Sequence, residues 1–383
     1  MILLGISAFY HDSSACLLIN GEIIAAAQEE RFTRKKNDFN YPVNAINYVL
    51  KEANLSFDQI NFVVYYEKPL IKFERLLETY INCFPKGFKQ FRKSISIWIK
   101  EKLFLKIFLL KEFRKSNKKF RSNQLLFSEH HLSHAASAFY PSPFDKAVIL
   151  VIDGVGEWAS TSVMIGENEN IKVVKEILFP NSLGLLYSAF TQYLGFRVNN
   201  GEYKVMGLAP YGNPIYKDFI LKNLVKLNKD GSYEINQKYF SYSYGDSMIN
   251  ENFIKLFNEP IRNPEIDELN QFHMDIAASL QFVLEEILIC MIKNLSKEFE
   301  FTNLCLAGGV ALNCVANSKI LNSNYFKKVW IQPASGDSGG SLGAALAFWY
   351  NELKNERNFG NDSMKGSLLG PQYKNDYIKK VLI

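Results

Sequence analysis

The chain alternates short apolar runs with polar or glycine-rich turns, a pattern typical of α/β proteins. An apolar run at residues 2–7 is followed by the polar turn HDSS at 11–14, and runs at 15–19 and 22–27 flank Asn20-Gly21. Because Asn and Gly both tolerate positive φ, this pair predicts a β-hairpin with a type I′ turn.

The same arrangement begins again at residue 147. An apolar run at 147–152 precedes the turn DGVGE, and strand-like runs at 160–165 and 171–177 follow. Two such units, with helices between them, predict an α/β protein with a duplicated actin-like ATPase fold of the ribonuclease H-like kind. We expect a first subdomain at 1–168 and a second at 169–354.

The second half of the chain continues the alternation. Residues 274–295 have a helical pattern, and predicted strands at 303–306 and 328–332 each end in a glycine-rich turn. The helix predicted from 341 to about 353 is followed by a polar segment, 355–365, that is typical of a linker.

The positive charge is concentrated in one segment of the chain. The net charge is +5, but residues 71–122 hold 15 Lys/Arg and 4 Asp/Glu, a balance of +11, which leaves 29 against 35, or −6, elsewhere. Apolar residues at helical spacing between 94 and 113 are interrupted by lysines, which predicts a helical basic insertion and not a membrane span. Three interpretations stay open: an amphipathic helix with a solvated basic face, a membrane-surface segment, and an RNA- or phosphate-binding face.

Composition indicates an ordinary folded protein. The 383 residues are 48% hydrophobic and 22% charged, enough for a large core. The N-terminus has no basic region before its apolar run, so no signal peptide is expected. The five cysteines are scattered without a CxxC spacing, which predicts reduced core residues in a cytoplasmic protein.

Two histidines are spaced as metal ligands. His130 and His134 are four residues apart at the start of a predicted helix, so they share a face and can bind one metal ion. His131 points about 100° away from His130 on the same helix. The alternative interpretation is a pair of polar residues at the helix start.

Two aspartates follow predicted strands. Asp153 and Asp337 stand at the carboxyl ends of apolar strands, where open α/β sheets place ligand-binding groups, and a buried carboxylate needs a partner. Asp153 could alternatively be a turn-former before Gly154. With His130 and His134, the aspartates would form a mixed nitrogen and oxygen site that suits Fe, Mn or Zn better than Mg or Ca.

A glycine-rich turn fits a nucleotide. Gly308-Gly309 follows a strand and precedes a helix, so backbone N–H groups there could approach a phosphate. The turn lacks the Lys-Ser/Thr of a P-loop. Lys204, in GEYKVMGLA, is a candidate phosphate-binding lysine or, alternatively, a surface lysine.

Eight strings occur in one order along the chain: HDSSA, EERFTRKK, HHLSHAASAFYPSPF, DGVGEW, NSLGLLYSAFT, GEYKVMGLAPYG, AGGVALNCVAN and ASGDSGGSLGAAL. From residue 1 to about 348, apart from the basic insertion, the chain resembles the NodU-type O-carbamoyltransferases. The resemblance implies the actin-like fold shared with tRNA threonylcarbamoyl transferases. It also implies an enzyme that makes carbamoyl-adenylate from carbamoyl phosphate and ATP, then passes the carbamoyl group to a hydroxyl of a sugar-like or natural-product acceptor.

The resemblance also implies roles for individual residues. The metal, with Fe expected first and Mn or Zn as alternatives, would be held by the same four residues, His130, His134, Asp153 and Asp337. The nucleotide would be bound by Gly184, Gly308, Gly309 and Asn313, with Lys204 near its phosphate. The acceptor hydroxyl would be oriented or deprotonated by His11 and Asp12.

Two departures from the family pattern stand out. Asn37 occupies a position where many relatives carry histidine. The family continues into a YrdC-like adenylate-forming domain whose opening resembles residues 368–373, so we expect 355–383 to be a linker and the start of that domain. A separate YrdC-like chain is then a candidate partner, whereas a membrane span or nucleic-acid partner is not expected. A tRNA threonylcarbamoyladenosine-type transferase and a non-catalytic nucleotide- and metal-binding half are the alternatives.

Overall fold

Two five-stranded sheets form the frame of residues 1–99 and 103–382, the part of the chain that the computed structural model describes. A separate two-stranded sheet lies in the second half. The strands are β1 (Ile2–Ser7), β2 (Ser14–Ile19), β3 (Glu22–Gln28), β4 (Phe62–Tyr65), β5 (Leu125–Phe127), β6 (Lys146–Ile152), β7 (Ala159–Glu167), β8 (Asn170–Leu178), β9 (Val225–Leu227), β10 (Tyr233–Ile235), β11 (Asn303–Ala307) and β12 (Lys328–Ile331).

Helices connect and cover the sheets. A π-helical turn, Ala347–Glu352, continues the thirteenth of them. The helices are α1 (Glu30–Thr33), α2 (Val43–Glu52), α3 (Pro69–Cys83), α4 (Phe88–Trp98), α5 (Leu105–Ser116), α6 (His130–Phe139), α7 (Leu183–Tyr193), α8 (Glu202–Leu208), α9 (Lys217–Asn223), α10 (Glu251–Phe257), α11 (Gln271–Glu298), α12 (Cys314–Asn322), α13 (Gly340–Leu346) and α14 (Asn375–Leu382).

The two large sheets have the same topology. The first has the order β3-β2-β1-β4-β5 and the second the order β8-β7-β6-β11-β12. In each, the first three strands along the chain are antiparallel and the last two join parallel to the central strand. The predicted α/β fold built from a duplicated unit is therefore confirmed.

The predicted hairpin turn is also present. Asn20 and Gly21 have φ angles of 50° and 84°, as a type I′ turn requires, and the flanking residues Ile19 and Glu22 are paired. The long helix and the two late strands predicted in the second half correspond to α11, β11 and β12.

Two helices lie between the large sheets and bring their edges together. α6 packs on β6 and β11 of the second sheet, α13 packs on β1 and β2 of the first, and the two helices pack against each other. Glycine permits this close contact, because a Cβ atom at Gly343 would lie 1.7 Å from the carbonyl oxygen of Ser133. The start of α6 and the turn before α13 consequently meet at one place.

The basic insertion is helical, as predicted, and comprises α3, α4 and α5. It is not simply a solvated basic face. Leu105, Leu109 and Phe113 on the inner side of α5 belong to the core of the first sheet. Lys72 and Arg75 of α3 are buried, with 6% and 5% of their surface exposed. The segment is thus built into the first subdomain.

The sheets divide the chain earlier than residue 168. Because β6 and β7 pair within the second sheet, that sheet begins at Lys146, and residue 168 lies in the turn between β7 and β8.

The polar segment 355–365 packs against α6, since the buried Arg357 guanidinium donates hydrogen bonds to the carbonyl oxygens of Phe139 and Tyr140.

The cysteines differ in exposure. Cys16 and Cys305 are buried, whereas Cys314 is exposed, so the expectation that the cysteines are core residues is wrong for Cys314. It begins α12 at the protein surface, which its apolar sequence neighbours did not indicate.

Among the described residues, no helix is both long and apolar enough to cross a membrane.

Candidate metal centre and cleft

The first turn of α6 carries both histidines of the i, i+4 pair. The helix begins at His130, after Glu129 in an extended conformation. His130 and His134 therefore lie on one face, with their Nε2 atoms 3.0 Å apart and with 1% of each residue exposed.

Two carboxylates complete the cluster. Asp153 follows β6, and its Oδ2 lies 3.1 Å from His130 Nε2 and 3.9 Å from His134 Nε2. Asp337 lies between β12 and α13, with Oδ1 3.5 Å from Nε2 of each histidine. The structure thus brings together all four side chains that the sequence singled out, with ligand atoms within 4.8 Å of one another.

The four groups fit a bound cation. Two imidazole nitrogens and two carboxylates converge in a buried space, which leaves uncompensated charge unless a positive species is shared among them. A donor set of two nitrogens and two oxygens suits a divalent transition metal. The Nδ1 atoms of His130 and His134 point away from the cluster and are buried without a hydrogen-bond partner among the described residues, so the Nε2 atoms are the ones presented to an ion.

In the absence of metal, a proton on His130 supplies the positive charge of the cluster. Burial would lower the pKa of His130, but the carboxylates of Asp337 and Asp153 outweigh it and raise that pKa to about 10. Burial would raise the pKa of Asp153, yet the hydrogen bond with His130 and nearby histidine charge hold it well below the usual range. An imidazolium therefore balances the carboxylates, and a divalent cation would replace its proton.

His131 lies outside the cluster. Its Nδ1 is 2.6 Å from the hydroxyl of Ser162. Burial, together with the positive charge of His130, lowers the pKa of His131 to about 3. His131 is consequently a neutral, buried neighbour of the ligands.

His11 and Asp12 follow β1 of the first sheet and face the cluster. His11 Nδ1 is 2.9 Å from Asp12 Oδ2, and His11 Nε2 is 3.8 Å from Asp337 Oδ2. Burial would lower the pKa of His11, but Asp337 and Asp12 raise it to about 9. Both residues line the cleft, which makes them accessible to a ligand.

A cleft of about 1130 Å³ lies between the subdomains, which is large enough for a nucleotide. Gly184, Gly309 and Asn313 line it together with Asp153. Gly308 is absent from the lining; its φ of 88° and its contact with the Ile152 carbonyl oxygen, 2.3 Å from a hypothetical Cβ, indicate a role in the turn itself.

Two of the predicted nucleotide residues have structural partners. The side chain of Asn313 accepts a hydrogen bond from Ala316 N and caps α12. Lys204 is exposed, with Nζ 5.8 Å from the ring centroid of Phe196, and does not line the cleft. The structure therefore does not bring Lys204 to the site, although its neighbour Tyr203 does line the cleft.

Two residues at the end of β4 contact the cluster and were missed in the sequence. The hydroxyl of Tyr66 is 3.4 Å from Asp337 Oδ2, and Glu67 Oε2 is 3.8 Å from His130 Nδ1. Because β4 is parallel to β1 and β5, its carboxyl end meets the same edge of the sheet. The strand-end rule that selected Asp153 could have selected Glu67 as well.

A third missed residue fixes the start of α6. Glu157 accepts hydrogen bonds from the backbone N–H of His130 at 3.0 Å and from that of Lys68 at 2.8 Å. The carboxylate thus satisfies an otherwise unpaired amide at the helix N-terminus. Its position in the loop after Asp153 ties the two ligand-bearing segments together.

Three basic side chains line the cleft, beside acidic ones that include Glu30 and Glu202. Arg31, Arg34 and Lys36 of the EERFTRKK string line it. Asn37, which stands where relatives were expected to have histidine, donates a hydrogen bond of 2.5 Å to the carbonyl oxygen of Asn199 on the opposite side.

The family model described as "Carbamoyltransferase N-terminus" matches residues 2–346. The chain belongs to this carbamoyltransferase family. The uncharacterized protein sll1178 of Synechocystis sp. is 53% identical over 383 residues, which cover 99% of this chain and 62% of that protein. The nodulation protein NolNO of Sinorhizobium fredii is 34% identical over 91% of this chain and 47% of its own length, as expected for the NodU type.

A third relative has an activity in its name. The 3'-hydroxymethylcephem-O-carbamoyltransferase of Amycolatopsis lactamdurans is 26% identical over 57% of this chain and 40% of its own length. The chain therefore spans between 40% and 62% of the length of these three relatives. Among solved structures, HypF of T. kodakarensis is similar over 92% of this chain and 48% of its own, with 14% identity and a TM-score of 0.44.

Proposed function

We propose that this chain carries the transfer site of an O-carbamoyltransferase, which moves a carbamoyl group from carbamoyl-adenylate to a hydroxyl of a sugar-like or natural-product acceptor. The observation that carries the proposal is the cluster of His130, His134, Asp153 and Asp337 at a cleft large enough for a nucleotide. The family match and the relative named for O-carbamoyl transfer support the type of reaction.

The four clustered residues would hold the divalent metal, and iron is the proposed ion, with manganese or zinc as alternatives. When bound, such an ion supplies Lewis-acid polarisation of a substrate oxygen. Tyr66 and Glu157 support the site from behind, since one contacts Asp337 and the other holds the backbone at His130.

The nucleotide would lie along the glycine-rich wall of the cleft. Gly184 lies in the first turn of α7, where a Cβ atom would lie 2.6 Å from the Asp153 carbonyl oxygen, so only glycine lets that turn approach so closely. Gly308 would shape the turn beside it, and Gly309 and Asn313 would contact the ligand. The basic lining residues Arg31 and Arg34 would favour an anionic substrate in the cleft.

The transfer step is a substitution at the carbamoyl carbon. The hydroxyl oxygen of the acceptor bonds to that carbon, the bond from the carbon to the phosphate oxygen breaks, and AMP leaves with the electron pair. The hydroxyl proton goes to His11 Nε2. Asp12 orients the imidazole by its contact with Nδ1 at 2.9 Å.

His11 can serve as a base only when Nε2 is unprotonated. Without metal, the carboxylate of Asp337 is the main group that raises the pKa of His11 to about 9, against the effect of burial. A cation held by Asp337 would offset that negative charge and lower the pKa towards neutrality. Metal binding and base function are therefore coupled in this proposal.

Supply of the adenylate is assigned to a YrdC-type domain or chain, by resemblance to the family. The test is an assay with labelled carbamoyl phosphate, ATP and a panel of sugar and natural-product alcohols, with and without an added YrdC-type protein. We expect label in a hydroxyl acceptor, with release of AMP, and loss of transfer in His11→Ala that still binds metal. Metal-loaded protein that bound neither AMP nor a stable adenylate analogue, and carbamoylated none of the alcohols, would contradict the proposal.

A further inference from the structure

We propose that Glu67 and Lys72 act as a buried positioning pair that holds His130 in the orientation and tautomer needed to bind metal. The inference rests on the proposed metal site and adds two residues to it. Glu67 lies just after β4, and Lys72 lies in the first turns of α3, within the basic insertion.

The geometry connects the three side chains in a row. Lys72 Nζ is 2.5 Å from Glu67 Oε2, and the same oxygen is 3.8 Å from His130 Nδ1. On the other side of the ring, His130 Nε2 faces the carboxylates of Asp153 and Asp337 at 3.1 and 3.5 Å. Glu67 thus stands directly behind the nitrogen that does not face the ligand cluster.

Burying the Glu67–Lys72 ion pair costs desolvation free energy. The side chain of Glu67 is 0% exposed and that of Lys72 is 7% exposed, so both charges have lost most of their hydration. A buried ion pair often contributes little net stability compared with apolar residues of the same size. Its position beside a ligand histidine offers a functional reason for its presence.

A carboxylate behind a ligand histidine has a defined chemical effect. It accepts a hydrogen bond from the N–H of the outer ring nitrogen, which leaves the inner nitrogen unprotonated and free to bind the metal and fixes the plane of the ring. Among the described residues, His130 Nδ1 is buried without a well-formed hydrogen bond. The carboxylate oxygen that faces it is Oε2 of Glu67, at 3.8 Å.

Lys72 connects the basic insertion to the proposed metal site. By pairing with Glu67, it sets a positive charge beside a carboxylate in a region that already contains Asp153 and Asp337. Its Nζ also lies 4.8 Å from the ring centroid of Tyr10, which precedes His11. One side chain of α3 therefore contacts the residues behind His130 and the turn that carries the proposed base.

The surface offers a matched control. Glu129 pairs with Lys68 at 2.7 Å, directly before α6, but 52% of its side chain is exposed. Glu129 is the residue directly before His130, yet its ion pair with Lys68 lies at the surface. Glu129→Gln should therefore leave metal binding unchanged.

The experiment measures the affinity for Zn²⁺ and Co²⁺ by competition with a chromophoric chelator, in the unchanged protein and in three variants. Glu67→Gln should weaken binding by about 10- to 100-fold, as removal of such outer partners does. Glu67→Gln/Lys72→Met, which leaves no unpaired buried charge, should show the same loss even when its melting temperature equals that of the unchanged protein. The visible spectrum of bound Co²⁺ should also shift, because His130 is less well oriented.

The outcomes separate this inference from the proposed function. If the unchanged protein binds metal and the folded double variant binds it equally well, the positioning role is wrong while the metal site stands. If the double variant regains both stability and affinity that Glu67→Gln alone has lost, the pair is structural and the inference is again wrong. If the unchanged protein bound neither ion, the metal site and this inference would fall together.

Discussion

The backbone N–H of Gly309 donates a hydrogen bond of 2.9 Å to Asp153 Oδ1. The glycine-rich turn after β11 thus holds a proposed metal ligand that comes from β6, the neighbouring strand. The amide that the sequence assigned to a nucleotide is already used, and it couples the nucleotide wall of the cleft to the metal cluster.

Gly309→Ala should therefore weaken metal binding. A Cβ atom at this position would lie 2.9 Å from Asp153 Oδ1, closer than real Cβ contacts allow, so the carboxylate must shift. We expect a loss of metal affinity of about tenfold, comparable to the loss of an outer hydrogen-bond partner. Gly207→Ala is the control, because a Cβ atom there meets nothing within 4 Å. Equal affinities in the two variants would show that Asp153 is not held in this way.

Removal of a cluster residue should empty the metal site. His130→Ala or Asp337→Ala deletes one of four converging groups and frees the remainder to move, so metal content measured by elemental analysis should fall well below that of the unchanged protein. His131→Ala should leave the content nearly unchanged, because the His131 ring contacts Ser162 instead. Carefully purified protein without any transition metal would contradict the site.

Metal binding should release protons. The pKa of His130 is raised to about 10, so the metal-free protein carries this proton at pH 8, whereas a metal-bound imidazole must give it up. Affinity should therefore fall as the pH is lowered, since protons compete with the ion. Calorimetry in two buffers of different ionisation enthalpy should show uptake of at least about one proton by the buffer per metal bound, from His130 and in part from His11. Identical heats in both buffers would argue against this exchange.

The proton on His130 also affects the stability of the metal-free protein. A pKa raised from 6.5 to about 10 on folding means that the imidazolium stabilises the folded state fully below pH 6.5. This contribution is lost as the pH rises towards 10. The melting temperature of the metal-free protein should fall over that range, and bound metal should reduce the effect.

Much of the fold and the main cluster could be predicted because they depend on local patterns. The spacing of His130 and His134 follows from helix geometry, and Asp153 and Asp337 follow from the strand-end rule. Glu67 was missed because β4 is only four residues long, which makes a weak apolar run.

Other features required the tertiary structure. Lys72 was counted only as one of the basic residues of segment 71–122, and nothing local distinguishes it from the exposed lysines of the insertion. Lys204 adjoins cleft-lining residues, but the direction of its side chain follows from its contact with Phe196, which sequence alone does not show. Burial of a charge and the direction of a long side chain both depend on what lies opposite, and sequence spacing carries no information about that.

The basic insertion should be essential to the stability of the first subdomain. Leu109 on the inner face of α5 is fully buried, whereas Ile107, two residues earlier on the same helix, is 64% exposed. Leu109→Ala should lower the free energy of unfolding by about 2–5 kcal/mol, because it removes buried methyl groups and leaves a cavity.

Ile107→Ala is the matched control, and its effect should stay within about 0.5 kcal/mol. Urea unfolding followed by circular dichroism measures both changes. A solvated, separable insertion would give small effects for both variants, and its deletion would leave the remainder folded. We expect instead that deletion of residues 71–122 prevents folding of the first subdomain, because it removes the α5 side of that core together with the partner of Glu67.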